Sequence, residues 1–229
     1  MAIPGNPLHS IVPILRLYLP TARVLDCLGT AFFVKEDGLL MSAKHVLAVA
    51  PGPDEAIVAL PMAVQPPTYH LLRDLSVSEH FDIATVWIAE KPERIEVLPI
   101  ADADAPLNLD ILTMEFSGTV VTPDLAHINP YHRKGHVICR YPSNFPEPTP
   151  TNVLDLSFPA LKGSSGAPLV VEGEWTVTGM IVANVERHLL PAQVERIESK
   201  DGAVEERRYF LPTGKAISWS HLREFLAGL

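Results

Sequence analysis

Three side chains in this 229-residue sequence could together break an acyl bond: His45, Asp82 and Ser165. A histidine can take and return a proton near neutrality, which suits a general base. A carboxylate beside it would fix the imidazole tautomer and stabilise the imidazolium. A serine hydroxyl becomes a nucleophile only when such a base removes its proton. The three occur in the order His, Asp, Ser, with gaps of 37 and 83 residues. Two therefore belong to the first half of the chain and one to the second, so they would meet in a cleft between the halves.

Local sequence supports each role. His45 follows Gly29-Thr30-Ala31-Phe32-Phe33-Val34 and Gly38-Leu39-Leu40-Met41-Ser42-Ala43-Lys44, two apolar runs separated by Lys35-Glu36-Asp37-Gly38. That pattern predicts a tight hairpin delivering His45 just after a strand. Asp82 stands before the apolar run Ile83-Ala84-Thr85-Val86-Trp87-Ile88, where a half-buried carboxylate needs a partner. Ser165 sits in Lys162-Gly163-Ser164-Ser165-Gly166-Ala167-Pro168. Its glycines allow a loop that aims several N–H groups at one point, the arrangement that stabilises an oxyanion. Each segment alone also fits a plain surface turn or strand end; together they are far more specific.

The elements that must hold these residues read as short strands. Candidates in the first half are Ile14–Leu19, Gly29–Val34, Leu39–Ser42, Glu55–Leu60, Ile83–Ala89 and Glu96–Ile100. In the second half they are Asp110–Phe116, Val137–Tyr141, Val153–Phe158, Pro168–Val171 and Trp175–Asn184. Ala101–Pro106 reads as a bridge between the halves, and Pro142–Pro150 as a loop too rich in proline for a central strand. Val194–Glu198 and Val204–Phe210 predict a projecting hairpin with its turn at Asp201-Gly202. Near the end, Ile217, His221, Leu222, Phe225 and Leu226 recur at helical spacing, with Gly228 as a stop.

Composition bounds the functional classes. The formal net charge is −9 and no long Lys/Arg run occurs, which disfavours a nucleic-acid partner. No stretch approaches the roughly 20 apolar residues of a membrane span. Met1–Pro7 carries no basic residue, and Ile11–Leu19 is broken by Pro13 and Arg16, so no secretory leader is expected. Cys27 and Cys139 are the only cysteines, read here as two free thiols in a reducing, cytoplasmic compartment.

Taken together, Gly29-Thr30-Ala31-Phe32-Phe33 with Ser42-Ala43-Lys44-His45, Phe81-Asp82-Ile83-Ala84, Gly163-Ser164-Ser165-Gly166-Ala167-Pro168 and Gly179–Asn184 resemble the motifs of chymotrypsin/trypsin-like serine peptidases, nearest the bacterial HtrA-type branch. The resemblance implies an all-β fold of two antiparallel six-stranded β-barrels with a C-terminal α-helix. On that expectation residues 1–229 form one peptidase domain, with a first barrel near 10–105, a second near 106–212 and the helix near 216–227. It also implies a peptide-bond hydrolase with His45, Asp82 and Ser165 as the triad. The N–H groups of Gly163 and Ser165 would form the oxyanion hole, and neither metal nor organic cofactor is required.

Departures from the family pattern carry further expectations. Ser164 replaces the acid that receives a new N-terminus after zymogen cleavage, which argues against that activation route and leaves room for an activating protein partner. Val46 stands where the partner of Cys27 would be, and Ala167 replaces a glycine. Val182 replaces a serine that contacts the triad acid, so Asp82 should have fewer hydrogen bonds. The base of the primary pocket falls at Pro159, between Phe158 and Ala160, with Val182 and Asn184 on its wall. No acid stands there, which favours a small or apolar side chain from a protein or peptide substrate. A catalytically silent protein-binding module on the same fold is the alternative reading.

Overall fold

The computed structural model of the chain describes residues 6–63, 66–143, 151–188, 194–198, 204–208 and 210–229. Strands dominate. The first six are β1 (Ile11–Tyr18), β2 (Arg23–Phe33), β3 (Leu39–Ser42), β4 (Glu55–Ala59), β5 (His70–Val77) and β6 (Ala84–Ile88). They close into an antiparallel barrel in the order β1-β2-β3-β6-β5-β4. The one-turn helix α1 (Lys44–Leu47) interrupts this set after β3.

Next come β7 (Asp110–Glu115), the short β8 (Val120–Val121) and β9 (Ala126–His127), β10 (Tyr131–Ser143), β11 (Thr151–Leu156), β12 (Pro168–Val171) and β13 (Val177–His188). A ribbon of β14 (Val194–Glu198) and β15 (Val204–Arg208) follows, then β16 (Phe210–Ser218) and the helix α2 (Trp219–Ala227). A second closed barrel forms in the order β10-β11-β16-β13-β12-β7. The chymotrypsin-like double barrel with its C-terminal helix is therefore the fold. Among the described residues no helix is long and apolar enough to cross a membrane.

Burial on both faces marks the strands at the centre of the first barrel. In β2 and β3 the run Ala31, Phe32, Phe33 and Leu39–Met41 is fully buried, so both strands are covered on two faces. One apolar cluster fills the first barrel and continues across the seam into Phe116, Val177, Met180, Val182 and Ile217. A second, built on Ile111, Val137, Leu154, Leu156, Leu169 and Ile181, fills the second barrel. The seam is thus packed as a core, which holds the two barrels in one mutual orientation.

Three expectations change. Glu96–Ile100 is not a strand: Glu96 N–H bonds to His9 and Leu98 N–H to Phe33, and Ile100 makes one isolated bridge to Val177. Pro99 has no N–H, so a ladder cannot continue through it. Instead the segment straps the first barrel to the second. β5 was not anticipated because a bulge between Arg73 and Ser76 breaks its alternation, with Asp74 at φ 54°. The last barrel strand runs on to Ser218, so the helix starts at Trp219 rather than near 216. Ile217 is buried in that strand, not on the helix. The predicted turn at Asp201-Gly202 lies outside the described residues, as do 144–150 of the proline-rich loop.

Helix α2 closes the molecule. Leu222 is fully buried beneath it. The His221 ring lies 4.2 Å from the Phe81 ring, and its Nε2 accepts the Asn152 N–H at 2.8 Å. That one side chain therefore joins the helix to the second barrel and to the residue preceding Asp82.

Candidate active site

His45 reaches its position through the β2–β3 hairpin. Gly38, at φ 99°, closes the turn between those strands. After Ser42, Ala43 is extended and α1 begins, with the Ala43 carbonyl accepting from Val46 at 3.1 Å. Val46 and Leu47 bury inward, which leaves the His45 ring outward and half-exposed. Asp82 is held by the loop before β6. Ser78 N–H bonds to Ile83 O at 2.9 Å, and Ser78 Oγ accepts from His80 (3.2 Å) and Phe81 (3.0 Å). Phe81 and Ile83 pack into the barrel on either side, so the Asp82 carboxylate is buried with them.

The two side chains meet. Asp82 Oδ2 lies 2.7 Å from His45 Nδ1, and Oδ1 accepts the His45 backbone N–H at 3.0 Å. A carboxylate only accepts, so towards one Nδ1 is the donor of this pair, and Nε2 is the ring nitrogen it leaves unengaged. Both of these bonds to Asp82 come from His45. The Lys44 ammonium donates to Ser78 O at 3.3 Å and ties the two segments together.

The Ser165 loop belongs to the second barrel. Gly163 (φ 94°) and Gly166 (φ 84°) take left-handed backbone that side chains rarely adopt. A Cβ on Gly166 would also overlap Ser42 Oγ and Thr30 O, so this glycine allows the loop to sit directly on the first barrel. The loop's hydrogen bonds alternate. Ser164 N–H bonds to Leu161 O (2.9 Å) and Gly166 N–H to Ile181 O (2.7 Å). The N–H groups of Gly163 and Ser165 bond to no described residue. Two unengaged donors beside a serine form a nest suited to a developing negative charge. Ser164 is buried, and its hydroxyl donates to Leu161 O at 2.7 Å, so it pins the loop locally.

Thr30, to which its sequence motif assigns no role, is the clamp between the barrels. Its hydroxyl donates to Gly163 O at 2.8 Å and accepts the Phe116 N–H at 3.2 Å; its own N–H bonds to Ser165 O at 2.8 Å. Ser42 Oγ in turn donates to Thr30 O at 2.6 Å. A Cβ on Gly29 would stand 2.6 Å from Ser165 O and 2.7 Å from Val46 Cγ2. The neighbour of His45 and the backbone of Ser165 thus press on one point. Ser165 Oγ makes no hydrogen bond to His45 in this structure. A hydroxyl buried at 0 % exposure between apolar strands, as at Thr30, is the signal that marks such a clamp.

The predicted pocket residues lie on two segments. Pro159 is half-buried between Phe158 and Ala160, and Val182 is buried on β13. Asn184 Oδ1 accepts the Ala160 N–H at 2.7 Å, and Asn184 Nδ2 donates to Ala160 O. Cys27 is buried beside the loop, its Sγ 3.9 Å from Phe116 O, and it is free; Cys139 is free and exposed. Among the described residues no group of His, Cys, Asp and Glu is arranged to hold a metal ion.

Known proteins of the same architecture can now be set beside this geometry. The fold is similar to the active form of the Rv3671c protease from Mycobacterium tuberculosis, at TM-score 0.62 and 19% identity, covering 97% of this chain and 84% of that one. Its inactive form is similar to the same degree, at TM-score 0.62 and 17% identity, covering 96% and 89%. The MamO protease domain from Magnetospirillum magneticum is similar at TM-score 0.64 and 11% identity, covering 97% and 98%. No curated protein matched the sequence. At these identities the likeness is one of fold, and it does not distinguish active from inactive forms. The family model for the trypsin-like peptidase domain matches residues 29–180, more than half of the sequence, and the chain belongs to that family.

Proposed function

We propose that the protein is a serine endopeptidase that hydrolyses peptide bonds through Ser165, His45 and Asp82. The observation that carries the reading is the Asp82–His45 pair at 2.7 Å, which engages Nδ1 and leaves Nε2 for the proton transfer. In the first step His45 Nε2 takes the Ser165 proton as Oγ adds to the scissile carbonyl. The oxyanion is received by the N–H groups of Gly163 and Ser165, and Asp82 stabilises the imidazolium. The imidazolium then protonates the leaving amine, and the C–N bond breaks to give an acyl-enzyme. Water, deprotonated by His45, adds to that ester and releases the acid, restoring the serine. Every proton is accounted for by the chain's own groups.

The substrate is a dedicated protein in the cytoplasm, and a partner protein completes the site. The open Ser165–His45 hydrogen bond motivates the partner, and the buried Ser164 hydroxyl replaces the acid that a zymogen would use. Two free thiols suit a reducing compartment. The same open hydrogen bond also favours a second reading, a silent protein-binding module. A fluorophosphonate probe separates them. Labelling of the wild-type chain that is lost in Ser165→Ala is expected, together with new protein N-termini in cells carrying wild type but not the variant. A folded wild-type chain that is never labelled, alone or in cell extract, would establish the module instead.

A further inference from the structure

We propose that His221 is a positioning residue for the Asp82 loop and acts only as a neutral imidazole, so that acid unlatches helix α2 from the site; this rests on the serine endopeptidase reading. The pairing of β11 with β16 runs from Asp155↔Lys215 to Val153↔Ile217. It ends there because β16 turns into α2 after Ser218. The next main-chain donor along β11 is the Asn152 N–H. His221, in the first turn of the helix, accepts it through Nε2 at 2.8 Å. A side chain of the helix thus takes over where the ladder stops.

The same ring carries the contact toward the His45–Asp82 pair. Its centroid lies 4.2 Å from that of Phe81, with the two planes 40° apart. Phe81 is buried, and its N–H donates to Ser78 Oγ at 3.0 Å. The next residue is Asp82, whose two oxygens both bond to His45. Asp82 therefore sits on a short turn, and the Phe81 ring is where helix α2 bears on that turn. The His221 side chain is only 12 % exposed, so it cannot swing out without opening a gap beside Phe81. Where the His221 ring goes, the surface that supports Phe81 goes with it.

Charge state decides whether the latch holds. A ring nitrogen accepts only while it carries no proton, so the proton of His221 is on Nδ1, 3.4 Å from Glu224 Oε2. A second proton has to sit on Nε2 and point at the Asn152 N–H. Two donors then face each other, and the bond is lost. The surrounding groups pull in opposite directions. On α2, Glu224 favours the protonated ring. On β11, the Asn152 N–H disfavours it. From the Asp82 loop, Glu79 and His80 line the same hollow as Phe81 and Glu224, with His80 edge-on to Phe81 at 6.3 Å. Histidine side chains change charge between about pH 5 and 8. The contact is thus one that mild acid removes.

Two measurements on the full chain test this. The first is the rate at which a fluorophosphonate labels Ser165 between pH 5 and 8, each protein scaled to its own rate at pH 8. Wild type loses rate in acid through two protonations, at His45 and at His221. His221→Gln keeps an oxygen that can accept the Asn152 N–H and does not titrate, so it loses rate through His45 alone. At pH 5 its scaled rate should exceed that of wild type about tenfold. His221→Phe keeps a ring against Phe81 but has no acceptor, and at pH 8 it should label about tenfold more slowly than wild type. His80→Gln should follow wild type throughout. The second measurement needs no variant: hydrogen-exchange protection of the Asn152 amide, corrected for intrinsic rates, should fall at least about tenfold from pH 8 to pH 5. Constant protection of Asn152 would overturn the proposal. So would superimposable scaled profiles of wild type and His221→Gln, or a His80→Gln profile that matches His221→Gln. If Ser165 is labelled while these profiles coincide, only the role of His221 fails. If nothing labels Ser165 at any pH, the enzyme reading falls and takes this role with it.

Discussion

The half of the site built on the first barrel differs from the half on the second in how much of its hydrogen bonding is made. On the first barrel, Asp82 is buried and both of its oxygens are bonded to His45. His45 and Asp82 form one unit within one barrel, set by a hairpin and a loop that close on themselves. On the second, Ser165 makes no bond to His45, and the N–H groups of Gly163 and Ser165 bond to no described residue. Its position is borrowed: Thr30, Ser42 and Gly29 of the first barrel hold the loop from outside. The Asp82–His45 pair is thus a property of local sequence and the placement of Ser165 a property of the seam. Changes to the first half should alter proton handling, whereas changes to the seam should alter how far the serine is presented.

The largest effect should come from within the first half. Asp82→Asn keeps the shape but cannot hold the proton on Nδ1 as a carboxylate does. It should lower kcat by about 10⁴-fold while leaving the thermal midpoint nearly unchanged. A drop of only a few-fold, measured on a substrate found by N-terminal mapping, would mean that His45 is oriented by something other than this pair.

A smaller effect, of a different kind, should come from the seam. Thr30→Val preserves volume but leaves Phe116 N–H and Gly163 O without partners. The expected loss is about 2–3 kcal/mol of stability, read from denaturant midpoints, because buried unsatisfied groups are expensive. Fluorophosphonate labelling should slow as well, since Gly163 carries one of the two open donors. If stability falls while labelling of the folded fraction stays at the wild-type rate, the loop is held without the first barrel, and the contrast between the halves disappears.

Sequence alone reveals the parts that depend on short runs. The hairpin before His45 and strands Leu39–Ser42 and Pro168–Val171 are legible because apolar runs end at glycine or charged turns. The Ser165 loop is legible because its glycines permit few alternatives, and Gly163 and Gly166 do take positive φ. What is not legible depends on distant partners. β5 is interrupted by a bulge, and Leu71, Leu75 and Val77 along it are exposed, so its apolar residues do not mark a buried face. Glu96–Ile100 has the composition of a strand but finds two different barrels as neighbours. Thr30 and Ser78 look like ordinary strand and turn residues; their hydroxyls acquire roles only once the loop they hold has been brought to them. The Asn184 side chain could equally face solvent or a substrate backbone until Ala160 lies opposite it.

The smallest predicted effect concerns the thiol closest to the seam. Burial pushes the Cys27 thiol up to about 11, against an ordinary value of 9.0, while Cys139 is exposed. A thiolate, not a thiol, reacts with disulfide reagents. At pH 8 a disulfide reagent should therefore titrate Cys139 in the folded chain, and Cys27 only after unfolding. The same shift bears on stability with a definite sign. Below the unfolded value both states hold the proton and nothing changes. Above it the unfolded thiol ionises first, so folding stability falls as pH rises toward 11, by about 1.4 kcal/mol at pH 10. Cys27→Ala should remove that alkaline decline relative to wild type. If Cys27 reacts at pH 8 as fast as Cys139, the seam opens in solution, and the closed packing between the barrels is only part of the ensemble that presents Ser165.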